Sequence, residues 1–195
     1  SGLTGAIVVN GAIIRADSAG AFGTGTITMI DPTIQYAASG TYSNDIVLAV
    51  PGDASLDPNI LQTMNNAVAT LTGSITQDPS VGPQYVEIAG DGQIVLTNAA
   101  NSWAGTTTID GGAVLTGTSA SISGGSIVDN GTLNYNQPLS GTVGQAINGG
   151  GVVNISGLGA GETLTFADGS NLSGGFNVLD GSAIALGGIN GGAGT

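Results

Sequence analysis

The chain contains no cysteine and no histidine, and Arg15 is the only basic residue among its 195. Without cysteine there is no disulfide and no thiolate metal centre, a composition that suits a chain exported unfolded. Without histidine there is no imidazole to activate a serine or cysteine nucleophile, and neither GxSxG nor GDSG occurs, which argues against a serine hydrolase. Thirteen acids against one base give a net charge of −12, so a phosphate backbone is repelled and nucleic-acid binding is excluded. An anionic membrane surface is equally unfavourable. Long apolar runs are also missing: "AIVV" and "DIVLAV" are broken by Asn, Gly or Pro within a few residues, so no segment is expected to insert in a membrane. No basic and apolar leader opens the sequence at Ser1, which suggests a processed product or an internal piece of something larger.

What is abundant is glycine, 36 residues, together with aliphatics that bring the hydrophobic fraction to 41%. A disordered Gly-rich chain would have far fewer aliphatics, so the sequence should fold, and its length suits one domain spanning 1–195. An aliphatic residue, an Asn or Asp, one or two Gly and a second aliphatic run recur in "VVNGAII", "IDGGAVL", "VDNGTL", "INGGGVV" and "VLDGSAIAL". Strands following these corners start near Gln93, Ala113, Thr132 and Val152, at spacings of 20, 19 and 20. A second, interleaved series starts near Thr106, Ser126, Gln145, Thr163 and Ala183. A period of about 20 residues, short Val, Ile, Leu and Thr strands and no helical periodicity predict an all-β fold, a parallel β-solenoid of single-stranded coils. Asn10, Asp110, Asn130, Asn148 and Asp180 read as turn residues, because Asn, Asp and Gly accept positive φ. Ile94, Val114, Leu133 and Val153 read as one interior ladder. Nine or ten such coils would make a rod about 45 Å long.

"GDGQIVLTNAANSWAGTTTIDGGAVLTGTSASISGGSIVDNGTLNY", Gly90 to Tyr135, resembles the passenger-associated repeat of bacterial autotransporters. The positions that carry the resemblance are Gly90, Gly92, Ile94, Leu96, Asn101, Trp103, Gly105, Thr107, Ile109, Gly112 and Leu115. "GTGTITM" and "VVNGAIIRADSAGAFGTGTI" resemble further copies. The resemblance implies a right-handed parallel β-helix, secreted through a membrane barrel and displayed at the outer surface of a Gram-negative cell. No barrel-like segments follow in this sequence.

Residues 51–84 hold four of the six prolines, Pro51, Pro58, Pro79 and Pro83, and are expected to leave the regular coil as a loop excursion, with a helical turn after Pro58. Such a loop is the first place to look for a partner. Chemistry is sparse elsewhere. Asp110 and Asp129 stand 19 apart at corners that look equivalent, where a pair of carboxylates would share a proton or a cation, although solvated turn acids are the plainer reading. Asp45, Asp53 and Asp57 do not have the spacing of a calcium loop, and the Gly-Gly-rich stretches complete no calcium-binding nonapeptide. Trp103 is expected to pack at a coil edge and Tyr135 to be a rung. The Thr alternation in "TGTITM" is not sustained as a flat ice-binding face would need, and "RAD" is not an adhesive "RGD". The sequence predicts no catalytic residue, cofactor or metal. Its expected partners are copies of itself, through the open β-helix ends, and molecules on a host or neighbouring cell. An adhesin stalk or spacer is the first reading, a subunit of an extracellular filament or sheath the second, and a polysaccharide-degrading β-helix the third.

Overall fold

A computed structural model describes residues 3–51, 57–167 and 170–187. The chain winds as a parallel β-solenoid. Strands β1 (Ile7–Asn10) and β2 (Ile13–Ala16) open the first coil, and β3 (Ile27–Ile30), β4 (Thr33–Tyr36) and β5 (Gly40–Tyr42) make the second. The third holds β6 (Ile46–Leu48), β7 (Asn59–Thr63) and β8 (Val68–Leu71), and the fourth β9 (Ile75–Gln77), β10 (Val86–Gly90) and β11 (Gln93–Leu96). Next come β12 (Thr106–Ile109) and β13 (Val114–Gly117), then β14 (Ser126–Asp129) and β15 (Thr132–Asn136). The seventh coil is β16 (Gly141–Val143), β17 (Ala146–Gly149) and β18 (Val152–Ser156), and the eighth β19 (Thr163–Phe166), β20 (Asn171–Leu172) and β21 (Gly175–Val178); β22 (Ala183–Leu186) follows.

Every strand pairing is parallel and runs from one coil to the next, which builds three faces rather than two interleaved series. The second face is an eight-stranded sheet, β2-β4-β7-β10-β12-β14-β17-β20, and the third a seven-stranded sheet ending at β5 and β21. The first face is split into β1-β3-β6-β9 and β16-β19-β22. Thus β19 and β22, which share a period with β12 and β14, belong to a different face from them. Among the described residues there are about eight coils, giving a length of roughly 38 Å. Two coils are long: Ile34 pairs with Leu61 and Leu61 with Ile88, 27 residues apart each time, whereas Ile109 pairs with Asp129 after 20.

Side chains alternate along most strands, and the inward set forms columns. Ala69, Ile94, Leu115, Leu133 and Val153 stack on the third face, all at most 1% exposed. Val114 does not belong to this column. It pairs with Gln93 and Thr132 and faces outward, while its neighbour Leu115 fills the rung. The reason is corner length: four residues separate β12 from β13 but only two separate β14 from β15, so aligning the corners by their Asp slips the strand by one, and a slip of one reverses the face.

Residues 51–84 are not an excursion as a whole. β7, β8 and β9 lie inside that range and each pairs with coils on both sides or with the coil before it; β7 sits between β4 and β10 in register. No helical turn follows Pro58, because Asn59–Thr63 alternates buried and half-buried and is held by ladders on both edges. Pro51, Pro58, Pro79 and Pro83 fall outside the ladders, between β6 and β7 and between β9 and β10.

Candidate functional site

The repeat motif resolves into structural tasks. Asn101 is buried and bridges three coils: its Oδ1 accepts from Ile75 N at 2.8 Å and its Nδ2 donates to Ser121 O at 2.8 Å. Trp103 is 5% exposed, too enclosed to be a sugar platform, and its indole N–H donates to Thr107 Oγ1 at 3.0 Å. Thr107 in turn donates to Ser123 O at 2.9 Å. Gly105 passes so close to the preceding coil that a Cβ there would meet Gln84 O at 2.5 Å. Asn101 and Thr107 therefore tie one coil to its neighbours, Gly105 permits the close approach of the preceding coil, and Trp103 braces Thr107 from within its own coil.

Two corner amides without a motif do similar work. Asn44 Nδ2 donates to Gly25 O at 2.7 Å across the coil boundary. Gln84, fully buried, accepts from Val50 N and donates back to Val50 O, both at 2.9 Å, and also accepts from Asn59 Nδ2 at 3.2 Å. It clamps the corner where the long third coil leaves β6. Sequence reasoning missed both, since a lone Asn or Gln carries no sign of facing inward; a Gln directly after Pro83 and before a strand was the only cue.

The turn residues divide by conformation. Asp180 takes φ +55° in a turn, Asn130 lies at an exposed bend and Asp110 follows β12 at its corner. Asn10 and Asn148 end up in strands β1 and β17, because the glycine after each, Gly11 at φ +56° and Gly149 at φ +117°, makes the bend instead. Asn65 and Asn66 supply a further positive-φ pair between β7 and β8.

Charge is concentrated at corners. The strands of the first and third faces contain no charged residue, and the second face has only Arg15, Glu87 and the inward Asp129. Arg15 pairs with Asp17 at 2.7 Å in the open. The third face instead carries a polar ladder, in which Asn177 donates to Asn154 and Asn154 to Asn134, both at 2.8 Å, and Asn134 to Thr116 at 3.1 Å. Asp45 caps the next coil by accepting from Ser74 N and Oγ at 2.7 and 2.8 Å, hydrogen bonds that hold its carboxyl below the usual range.

Asp110 and Asp129 are not brought together. Asp129 pairs with Ile109 and points inward, whereas Asp110 N bonds to Ile88 O in the preceding coil. The neighbour of Asp110 is Glu87, whose carboxyl is pushed up first by burial and then by Asp110. A shallow groove of about 460 Å³ runs along the corner between the first and second faces, past Asp31, Asp57 and Glu87 over Ile13 and Ile60. Asp57 is the only member of the Asp45, Asp53 and Asp57 set there, and Asp53 lies outside the described residues. Among the described residues no three ligating side chains form a metal-binding group.

These features define a parallel β-solenoid whose repeated residues are spent on stacking. Comparison with family models, curated proteins and solved structures finds no match to this chain.

Proposed function

We propose that this chain is a non-enzymatic, extracellular β-helical segment of the autotransporter-passenger type, right-handed, which acts as a stalk or spacer holding a binding element away from the outer surface of a Gram-negative cell. The observation that carries the reading is that Asn101, Gly105 and Thr107 join coil to coil, with Trp103 bracing Thr107 from within its own coil, in a stack of about eight described coils. A stack of this kind transmits position along its axis, which is the physical requirement of a spacer. Ligands on host or neighbouring cells would be engaged by other parts of such a surface protein, or by its corners.

A second reading, a subunit that polymerises into a filament or sheath, draws on a specific feature: the outermost described coils leave Val8, Ile13, Val178 and Leu186 between 41% and 64% exposed on edge strands. Edge strands of that kind accept further pairing. Light scattering with negative-stain electron microscopy, with and without millimolar calcium, separates the two. Uniform single rods are expected of a spacer; regular fibres one coil-stack wide would overturn it in favour of the filament subunit.

A further inference from the structure

One carboxylate stands apart from the corner acids. Asp129 occupies the inward column of the second face, in line with Ile34, Leu61, Ile88 and Ile109, and is fully buried. Its Oδ1 accepts from Gly131 N at 3.0 Å, but its Oδ2 has no partner, and neither does the hydroxyl of Tyr135, also fully buried. The column can admit a carboxylate because the next coil supplies no side chain at this level. A Cβ on Gly151 would fall 2.4 to 2.7 Å from the carboxylate atoms of Asp129, and Gly149 passes equally close to its backbone. The carboxylate thus fills space vacated by a three-glycine corner, Gly149 to Gly151.

An ionised carboxylate with one hydrogen bond in an apolar column is unfavourable, and the charge has few ways to be compensated. Of the strands packed against it, β12 presents Ile109 and β17 presents Gly149, which do not titrate. From β15 comes Tyr135, whose hydroxyl is pushed up by burial first and by Asp129 second, and so stays neutral. Asp110 is at the corner beyond Ile109, outside the column. Desolvation raises Asp129 from its ordinary 3.8 to about 6, against the opposing Gly131 N–H.

We propose that Asp129 is a proton-binding site inside the solenoid: protonated, it holds the Gly149 to Gly151 corner closed, and ionised, it draws water in by opening that corner. The proton passes to bulk solvent. The corner is held by Gly151 N donating to Asp129 O at 2.8 Å, by Val152 N donating to Gly131 O at 3.0 Å and by Ser173 N and Oγ donating to Gly149 O at 2.9 and 3.1 Å. The sign follows from the raised value. Between 3.8 and about 6 the folded chain keeps a proton that the unfolded chain has lost, so stability falls as pH rises through that window and stays lower above it.

The test uses the 195-residue chain, with a carbon-13 titration of the Asp129 carboxyl and hydrogen exchange at residues 146–156, corrected for the intrinsic pH dependence. The expected result is a midpoint near about 6, with faster exchange at the glycine corner above it. Asp129→Asn is expected to abolish that pH dependence and to raise Tm near neutral pH by on the order of 5 °C. A midpoint near 3.8, or equal corner protection at both ends of the titration, overturns the proposal. So does an Asn variant whose exchange profile follows the wild type. If the variant does not fold, the two wild-type measurements decide.

Discussion

Single residues in this solenoid differ in consequence according to which face of the pleat they occupy. Val114 and Leu115 are adjacent aliphatics in one strand, yet Leu115 is fully buried in a column and Val114 faces out. Leu115→Ala is expected to cost about 2–5 kcal/mol, the range for emptying a well-packed interior site. Val114→Ala should stay within about 1 kcal/mol. Thermal or denaturant unfolding of the two variants measures the difference, and equal losses would show that the assigned register is wrong. The motif resemblance had already placed Leu115, not Val114, at an aliphatic position. Corner alignment erred because glycine-rich corners vary from two to four residues without any change in their composition.

At the scale of the element, the long corners are secured by buried amides rather than by hydrophobic contact. Gln84 satisfies both the N–H and the carbonyl of Val50. Gln84→Ala leaves two buried backbone groups without partners, at a cost of about 1–3 kcal/mol each, and the expected outcome is faster amide exchange at Val50 with the β7 ladder retained. Simultaneous loss of protection across β7 would mean that the whole coil depends on this clamp. The strand β7 itself was hidden in the sequence by its setting. "PNILQTM" has an acceptable helix start and few β-branched residues, and only the ladders from β4 and β10 on either side make it a strand. Pairing on two edges outweighs local preference because strand propensity is mostly a report on neighbours.

For the whole molecule, the balance is between apolar columns along the axis and like charge at the corners. A net charge of −12 carried mostly on successive corners, such as Asp31 and Asp57 along one groove, where Glu87 of β10 joins them, and Asp91 and Asp110 along another edge, opposes stacking. Exposed charges of this kind are screened by salt. Raising ionic strength from about 0.01 M to about 0.5 M should therefore raise Tm, with most of the gain complete once the Debye length falls below roughly 5 Å. A flat or falling Tm would mean that the corner charges contribute nothing to stability. The same repulsion keeps separate rods apart at low salt, so association in the microscopy experiment should strengthen as salt is added if the filament reading holds.

Sequence alone determined the class of fold, the approximate coil length and the alternation of corner and strand. Those features are local and repeated, and each repeat carries its own glycine corner and its own short aliphatic run. It also set the charge balance and the absence of histidine and cysteine, which bound the chemistry. Only the tertiary structure decided how many faces a coil has, which of two adjacent aliphatics enters a column, and that Asp129 lies inside while Asp110 lies at a corner. Those choices depend on register between coils some 18 to 29 residues apart, and register is set by corner lengths and cross-coil hydrogen bonds that no single repeat contains.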